Sequence, residues 1–290
     1  MKVVPYKFKK FSKIISKLCK KHNIPLYNSK YSKKTFTNVQ HLFLLVCKAH
    51  QRRGYRDFVE ELYDSKIPQY IQLKKIPHFT TLQKFAQRIT TKYFHRLILS
   101  TRSLFSKQGT FLGADSTGFS LDHASHHYCK RIGREKPVKG FITANCLSDL
   151  YSKVILAVKI RKRRRHDTVD LPALYKKVRH LDFDYFVADK GYDKELCHRL
   201  IFESGKHSLI SLKNFEVSIS RTKGRYRKKA KREFEEGLYT QRELTESIFS
   251  SLKRKYDSKL RARKFNTQRI ELLTRILAYN IERAIRIDLE

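Results

Sequence analysis

The sequence predicts a mixed-sheet α/β domain over residues 109–290, preceded by an all-α, basic region over residues 1–108. Three observations carry this prediction. Apolar residues recur every three or four positions in the first part, which is typical of amphipathic helices. Short apolar runs alternate with helical segments in the second part, in an order typical of an α/β domain. Across the whole chain, 64 Lys and Arg residues face 27 Asp and Glu residues.

The helical periodicity of the N-terminal region is clearest in its middle. Apolar positions with helical spacing are Val39, Leu42, Phe43, Val46 and Cys47, followed by Phe58, Leu62 and Tyr63. Pro77 then interrupts the pattern, and the Thr80–Thr81 pair can cap a further helix through Phe85, Ile89 and Phe94. The region is therefore predicted to be helical, with basic loops.

The strands of the second part are short apolar runs bounded by polar residues. They lie at 110–115, 140–147, 154–158, 185–188 and 208–212. Helices are expected from about Asp167 to His180, around Leu200, from near Tyr239, and from about Thr267 to the C-terminus. Three strands, a helix, a strand, a helix, a strand and a helix is also the element order of a ribonuclease H-like fold.

The charge balance points to a polyanionic partner. The 290 residues carry a formal net charge of +37, yet 40% are hydrophobic and 12% aromatic, which is enough to build a core. This composition excludes acidic disorder and a histone-like tail protein. A compact chain with so large a surplus repels itself unless a polyanion neutralises it. Nucleic acid is therefore the expected partner, and a membrane surface is the weaker alternative.

Neither the N-terminus nor the cysteines indicate export or a metal site. The first residues are basic but lack the apolar core of a signal peptide, and the most apolar run, residues 42–47, is far too short to span a membrane. A cytoplasmic protein, associated with the nucleoid through DNA, is expected. The five cysteines contain no Cys-x-x-Cys pair. The cluster of His123, His126, His127 and Cys129 lacks a zinc-finger spacing, which favours a polar loop.

Two carboxylates follow predicted strands at positions suited to metal binding. Asp115 ends the first strand and Asp189 ends the fourth. In a ribonuclease H-like sheet these strands are neighbours, so both carboxylates would project at the same edge. Metal-dependent cleavage of a phosphodiester needs oxygen ligands from separate elements to hold two ions about 3.5–4 Å apart. A third ligand is expected from a helix packed across that edge.

A stripe of charged residues on the helix near Tyr239 supplies this third ligand. Tyr239, Arg242, Glu246 and Lys253 follow one another at intervals of three, four and seven residues. At about 100° per residue they fall within roughly 60° of one another on the helix surface. Leu244, Ile248 and Leu252 fall on the other side and are expected to bury against the sheet. One helix thus presents a carboxylate flanked by two cations and a phenol.

These motifs resemble those of a known family. Tyr239-x2-Arg242-x3-Glu246-x6-Lys253 matches the Tyr-Arg-Glu-Lys signature of the DDE transposases of bacterial and archaeal insertion sequences, spacing included. Segments 114–118 (ADSTG) and 188–193 (ADKGYD) are similar to the first and second aspartate motifs of that family. The resemblance covers roughly residues 109–285, and the preceding helices look like the usual N-terminal segment of the family.

The resemblance implies a mechanism and a set of site residues. Asp115, Asp189 and Glu246 would bind two Mg²⁺ ions, for which Mn²⁺ would substitute, and cut the DNA strand at the end of the element. The exposed 3′ hydroxyl would then attack target DNA. Tyr239, Arg242 and Lys253 would hold phosphates near the scissile bond. The chain lacks tryptophan, so an aromatic side chain that stacks on a flipped base has to be Tyr or Phe.

A basic run before the catalytic helix is a further candidate for DNA contact. Residues 221–232 (RTKGRYRKKAKR) are predicted to form an exposed basic loop. A solvated linker is the alternative interpretation, but Tyr226 among the cations favours DNA binding. The candidate side chains are Arg225, Arg227, Lys228 and Lys229. Phosphate contacts by such residues would add affinity without sequence choice.

The sequence is therefore interpreted as a transposase with a helical DNA-binding region and a ribonuclease H-like catalytic domain. Its partners would be the terminal inverted repeats of its element and target double-stranded DNA, with no membrane partner. A homodimer is the natural form for pairing two ends. Two alternatives stay open at this point: a ribonuclease H-like nuclease or resolvase unrelated to transposition, and a non-catalytic DNA-binding remnant of a transposase.

Overall fold

A computed structural model describes residues 7–121, 133, 140–163 and 165–287. The chain forms two compact units. We call the first the helical unit; it contains the described residues of 1–104, 121–139 and 252–290. We call the second the sheet unit; it contains residues 105–120 and the described residues of 140–251.

The helical unit is built around the C-terminal helix. Five helices come from the N-terminal part: α1 (Lys7–Lys21), α2 (Asn38–Gln51), α3 (Tyr55–Tyr63), α4 (Phe79–Arg88) and α5 (Thr91–Ser100). The long helix α11 (Phe265–Ile287) packs against α1, α2, α4 and α5. Its residues 272–281 are buried on all sides, as expected for a helix at the centre of a bundle. Asn280 adds a buried hydrogen bond of 2.8 Å from its side-chain amide to the Thr101 hydroxyl.

The C-terminal helix thus completes the core of the N-terminal helices. This partition differs from a single cut of the chain at residue 108. The expected division into a DNA-binding region over 1–108 and a catalytic domain over 109–290 concerns function, and it stays a prediction.

The sheet unit contains the predicted mixed sheet. Its strands are β1 (Phe111–Leu121, whose last residue is assigned to the helical unit), β2 (Phe141–Asp149), β3 (Val154–Arg161), β4 (Tyr185–Ala188) and β5 (His207–Ile210). They are ordered β3-β2-β1-β4-β5. β1, β2 and β3 pair antiparallel, whereas β4 and β5 run parallel to β1. This is the ribonuclease H-like arrangement, so the predicted fold class is confirmed.

Five helices follow the strands of the sheet unit along the chain. They are α6 (Leu171–Val178), α7 (Glu195–Phe202), α8 (Arg225–Arg232), α9 (Glu236–Tyr239) and α10 (Glu243–Tyr256), whose last five residues belong to the helical unit. α6 packs on β2 and β3, and α7 packs on β5. A two-residue strand, β6 (Lys259–Leu260), precedes α11. Within the described ranges, no helix combines the length and apolarity needed to cross a membrane.

Two elements differ from their sequence-based predictions. β1 continues through Asp115 to Leu121, because residues 115–120 stay paired with β2, whereas the first strand was predicted to end at Asp115. The run 221–232 was predicted to be an exposed loop, but eight of its residues form α8. The carboxylate of Glu195 accepts the backbone N–H groups of Tyr226 and Arg227, at 2.9 and 3.0 Å. The first N–H groups of a helix have no partner within the helix, and this carboxylate accepts two of them. Its negative charge also interacts favourably with the positive end of the helix dipole. Ala230 is buried, which fixes one face of the helix.

Candidate active site

Two aspartates lie side by side at the edge of the sheet. β1 and β4 pair parallel with Ala114 opposite Ala188, so Asp115 within β1 lies beside Asp189, the first residue after β4. The Asp115 carboxylate accepts the backbone N–H of Ser116 at 2.7 Å. Asp189 accepts the backbone N–H of Gly191 at 3.0 Å and so caps the short 3₁₀ turn that follows β4. Local backbone groups therefore orient both carboxylates.

The electrostatics of the pair suit a bound cation. Burial raises the pKa of Asp115 to about 6, and the negative charge of Asp189 adds to this rise. The Ser116 N–H, Arg242 and the Thr245 hydroxyl act in the opposite direction without cancelling it. A half-buried carboxylate beside a second one is unfavourable as an anion unless a positive charge joins the pair. Oxygen donors of this kind fit a hard divalent cation such as Mg²⁺.

The third expected ligand, Glu246, is not brought to the aspartates in this structure. Its side chain is 62% exposed and forms an ion pair of 3.0 Å with Arg242, one helical turn earlier. The neighbouring Thr245 faces the sheet instead, and its hydroxyl lies 3.4 Å from Asp115. Among the residues described, no three His, Cys, Asp or Glu side chains are close enough to hold one metal ion together. Glu246 as a metal ligand stays a prediction.

The predicted buried face of α10 is correct in part. Ile248 and Leu252 are buried, but Leu244 is half-buried. Thr245 and Phe249 are buried in addition. The apolar stripe is therefore rotated toward Thr245, which explains why Glu246 points toward solvent.

Two residues of the predicted stripe lie near the aspartates. Burial raises the pKa of Tyr239, and the charge of Asp189 adds to the rise, whereas Arg242 and a hydrogen bond with Ser211 oppose it. Arg242 also lowers the pKa of Asp115 through its charge. Tyr239 and Arg242 thus share the electrostatic environment of both carboxylates. Lys253 lies in the last turns of α10, in the part that belongs to the helical unit.

A hydrogen-bonded chain beside the aspartates was not predicted from the sequence. The Asp167 carboxylate accepts hydrogen bonds from Ser116 Oγ at 3.3 Å and Asn145 Nδ2 at 3.2 Å. The Asn145 amide oxygen in turn accepts the Tyr192 hydroxyl at 2.8 Å. Burial, followed by the charges of Asp167, Asp115 and Asp189, raises the pKa of Tyr192 well above its usual range. Tyr192 therefore stays protonated as a donor.

One sequence signal could have revealed this chain. Asn145 is a single amide within the apolar run of β2, and a buried polar side chain in such a run requires hydrogen-bond partners. Asp167 and Asp170 both lie at the start of the segment that leads into α6. Asp170 forms a bidentate pair with Arg161, from its Nε at 2.7 and 2.9 Å and also from Nη2.

The four basic candidates on α8 have different surroundings. Arg227 donates from Nε and Nη2 to the two carboxylate oxygens of Asp193, both at 2.7 Å. Lys229 lies 3.7 Å from Glu233 and 4.4 Å above the centre of the Phe202 ring. Arg225 is exposed and Lys228 is half-buried. Arg227 thus has a carboxylate partner, whereas the Arg225 guanidinium lies 5.7 Å from the centre of the Tyr226 ring.

The cluster of His123, His126, His127 and Cys129 lies outside the described residues. The four other cysteines are buried thiols without disulfides. Burial is the cause of the raised pKa of Cys19, to about 12, and of Cys197, to about 11. These two thiols remain protonated and unreactive at neutral pH.

Comparison with known proteins identifies the family to which this chain belongs. Residues 107–281 match the family model described as the transposase DDE domain. This match extends over more than half of the chain, and the chain belongs to this family. No curated protein matches it.

A solved structure to which the chain is similar is a piggyBac transposase synaptic complex with hairpin DNA, determined by cryo-EM. The two are 12% identical with a TM-score of 0.47, and the match covers 97% of this chain and 74% of that one. Family membership makes transposase the function of the chain. A nuclease unrelated to transposition and a non-catalytic remnant are not favoured.

Proposed function

We propose that this transposase cuts DNA strands at the ends of an insertion sequence and joins them to target DNA, with Asp115, Asp189 and Glu246 as its catalytic residues. The observation that carries the proposal is the parallel pairing of β1 and β4, which leaves Asp115 beside Asp189, the first residue after β4. Neighbouring strands of a sheet can hold two carboxylates close together before any metal binds. Such a pair is one part of a site that cleaves phosphodiesters with metal ions.

Asp115 and Asp189 would hold the metal ions, and the neighbouring groups would keep these carboxylates oriented. When bound, two Mg²⁺ ions, or Mn²⁺ in their place, would supply Lewis acidity at the attacking and leaving oxygens. The Ser116 and Gly191 N–H groups orient the carboxylates through the hydrogen bonds described above. Glu246 would join them after its exposed side chain leaves Arg242, a surface i,i+4 pair of the kind worth about 0.3–0.5 kcal/mol.

The cationic and phenolic side chains would hold the DNA. Tyr239 and Arg242 share the environment of the aspartates and would bind phosphate oxygens near the scissile bond, with Lys253 farther along the same helix. Arg225, Lys228 and Lys229 would contact more distant phosphates, and Arg227 would hold α8 in place through Asp193. The proposed substrates are the terminal inverted repeats of the element and double-stranded target DNA. A homodimer in the cytoplasm, associated with the nucleoid, is the proposed working form.

The test is metal-dependent nicking of a duplex that contains the inverted repeats flanking the gene. Asp115→Asn and Glu246→Gln should each lower the nicking rate by about 10²-fold or more. Binding of the same duplex, measured by electrophoretic mobility shift, should stay within a few-fold of wild type. Glu243→Gln is the matched control, because Glu243 is exposed on the same helix. Undiminished nicking by Glu246→Gln would remove Glu246 from the catalytic set.

The phosphate contacts are tested separately by salt dependence. Lys253→Gln should weaken binding of all duplex sequences and reduce the slope of log affinity against log salt by about one unit. An unchanged slope would remove Lys253 from the residues that contact phosphate.

A further inference from the structure

The helical unit contains a basic cavity of about 500 Å³ whose lining comes entirely from that unit. Seven of the lining side chains are Lys or Arg, and two are Asp or Glu. Its walls come from α2, α3, α4, the segment 257–264 and α11. None of the residues proposed for strand cleavage lines it.

The two acidic residues of the cavity already have internal partners. Glu271 accepts the backbone N–H groups of Arg261 at 3.1 Å and Ala262 at 2.9 Å, and it pairs with Arg275 at 2.6 Å. Asp257 accepts the backbone N–H of Lys259 at 3.1 Å. These carboxylates therefore stabilise the loop and the helix that form one wall of the cavity. Their oxygens already accept hydrogen bonds from that wall.

Four lining cations have no such neutralisation. Within the part of the chain that is described, Lys48, Arg261, Arg263 and Lys264 form no ion pair with a carboxylate. The Lys48 ammonium lies 4.2 Å above the centre of the Tyr55 ring. Burial lowers the pKa of Lys48 to about 8. The charges of Glu271 and Asp57 offset part of this shift, but neither carboxylate forms an ion pair with Lys48, so a bound anion would stabilise its charged form further.

Two helices begin at the cavity and add to its positive character. α3 starts after Gly54, which provides no side-chain cap, and α11 starts after Lys264. Both Gly54 and Lys264 line the cavity. Helix N-termini favour anions through their open N–H groups and their dipoles, and at α3 the acidic Asp57 in the first turn already uses part of this potential. The cavity thus combines two helix starts with unpaired cations.

We propose that this cavity binds a phosphate of an unpaired DNA strand, an inference that rests on the proposed function because DNA is the substrate there. A volume of about 500 Å³ is in the range of sites that take small molecules, so a nucleotide enters it and a double helix does not. The phosphate would contact Lys48, Arg263 and Lys264. Proteins that bind single strands combine a cationic groove with an aromatic platform, which Tyr55 would provide.

The apolar side chains of the cavity suit the remainder of a nucleotide. Leu45, Ala49 and Ile270 line it together with the amide side chains of Gln83 and Gln87. Apolar and amide groups can receive a sugar and a base without reading a particular sequence. The predicted selectivity is therefore for single strands over duplex, without preference for sequence.

The test measures fluorescence anisotropy of fluorescein-labelled (dT)12 with the full chain at several salt concentrations. Arg263→Gln/Lys264→Gln should weaken binding by about tenfold and reduce the slope of log affinity against log salt by about 1.4, because each single-strand phosphate contact contributes about 0.7. Both side chains are exposed, so this variant should fold, and its thermal unfolding should match wild type. Arg263→Lys/Lys264→Arg should bind like wild type.

The matched control is Lys17→Gln/Lys20→Gln, which removes two exposed cations from α1 outside the cavity. Its binding of (dT)12 should change less than twofold. Equal weakening by the two double variants would overturn the proposal, since it would report net charge alone. An equal loss of affinity for a labelled random duplex would also overturn it, because the two cations would then belong to a duplex surface.

Inorganic pyrophosphate distinguishes a small phosphate ligand from DNA. Displacement of (dT)12 from wild type by pyrophosphate, with no such competition in the cavity variant, supports a shared phosphate site. Thermal stabilisation of wild type by pyrophosphate, with unchanged (dT)12 binding in the cavity variant, would assign the cavity to a free phosphate compound and refute the DNA proposal. Asp115→Asn should bind (dT)12 like wild type, because Asp115 does not line the cavity. The binding test therefore remains valid even if the cleavage proposal fails.

Discussion

The hydroxyl of Thr245 lies 3.4 Å from a carboxylate oxygen of Asp115, and this contact joins helix α10 to strand β1. The close approach depends on Gly113, two residues before Asp115. A Cβ atom at Gly113 would lie 2.5 Å from Thr245 Cγ2 and 2.7 Å from Leu150 Cδ2. Both neighbours would have to move for any larger side chain to fit at this position. The helix that carries Glu246 can therefore pack close to β1 because Gly113 has no side chain.

Gly113→Ala should therefore destabilise the fold and lower nicking activity. Overpacking of a tight core site costs about 1–3 kcal/mol, which urea unfolding can measure. Gly118→Ala on the same strand is the control, because its nearest neighbour would be 4.0 Å away. Equal stability of the two variants would show that α10 can shift without cost.

Asp115→Asn should stabilise the metal-free protein while it abolishes activity. The pKa of Asp115 is about 6 in the folded protein, above its ordinary value of 3.8, so the folded state binds the proton more tightly. Wild type therefore loses stability as pH rises from about 4 to 6, and the variant does not. At pH 7 the gain should be up to about 3 kcal/mol by thermal unfolding.

Millimolar Mg²⁺ completes this comparison. It should raise the unfolding temperature of wild type more than that of Asp115→Asn, because a cation relieves the repulsion between the aspartates. A variant that is less stable than wild type without metal would contradict the electrostatic interpretation.

Arg227→Gln should destabilise the sheet unit more than the loss of any other charged side chain in α8. The Asp193 side chain is only 1% exposed, and loss of Arg227 would leave part of its charge unpaired, at a cost of about 3 kcal/mol. Lys228→Gln on the same helix should change the free energy of unfolding by less than about 0.5 kcal/mol. Hydrogen exchange at residues 225–232 should be faster in Arg227→Gln alone; equal exchange in the two variants would show that the pair does not anchor α8.

Glu282 should control the acid stability of the helical unit. Burial alone would raise its pKa, but hydrogen bonds from Lys255 and Tyr256, with the charge of Lys255, lower it to about 2. Because the ordinary value is 4.5, this stabilisation is present above about pH 4.5 and is lost as pH falls toward 2. Lys7 and Arg286 also contact the carboxylate, at 3.2 Å each.

Glu282→Gln should accordingly cost about 3 kcal/mol at pH 7 and remove the dependence on pH between 4.5 and 2. The measurement is chemical unfolding at a series of pH values. Glu60→Gln, at an exposed position of α3, is the control and should keep the wild-type pH profile. A wild-type profile in Glu282→Gln would show that another carboxyl group is responsible.

Local sequence patterns predicted the fold because each strand and each early helix has its own apolar signal. The runs at 141–149 and 154–161 are buried over most of their length, as their composition indicates. Helix α8 escaped prediction because its start is satisfied by Glu195, 30 residues earlier in the chain, and no local pattern reveals such a partner. The position of Asp115 beside Asp189 followed from strand order, which the element order indicated.

The finer geometry of the candidate site could not be read in the same way. Thr245 and Glu246 are neighbours on one helix, and a rotation of about 100° decides which of them faces Asp115. That rotation is set by the packing of Phe249 and by the space at Gly113, both of which are tertiary properties. The Asn145–Asp167 contact likewise joins residues that are 22 positions apart.

The few carboxylates of this chain have unequal consequences for evolution. Asp193, Glu195 and Glu282 each accept hydrogen bonds from donors in distant segments of the chain, and Glu271 accepts them from the loop before its own helix. Loss of one such acid leaves several donors without their acceptor, whereas loss of one surface Lys or Arg removes a single charge among 64. A deep mutational scan for folded protein should therefore find these acidic positions intolerant and most basic positions permissive. Substitutions that accumulate during evolution should therefore alter the DNA-contacting surface of the protein more readily than its fold.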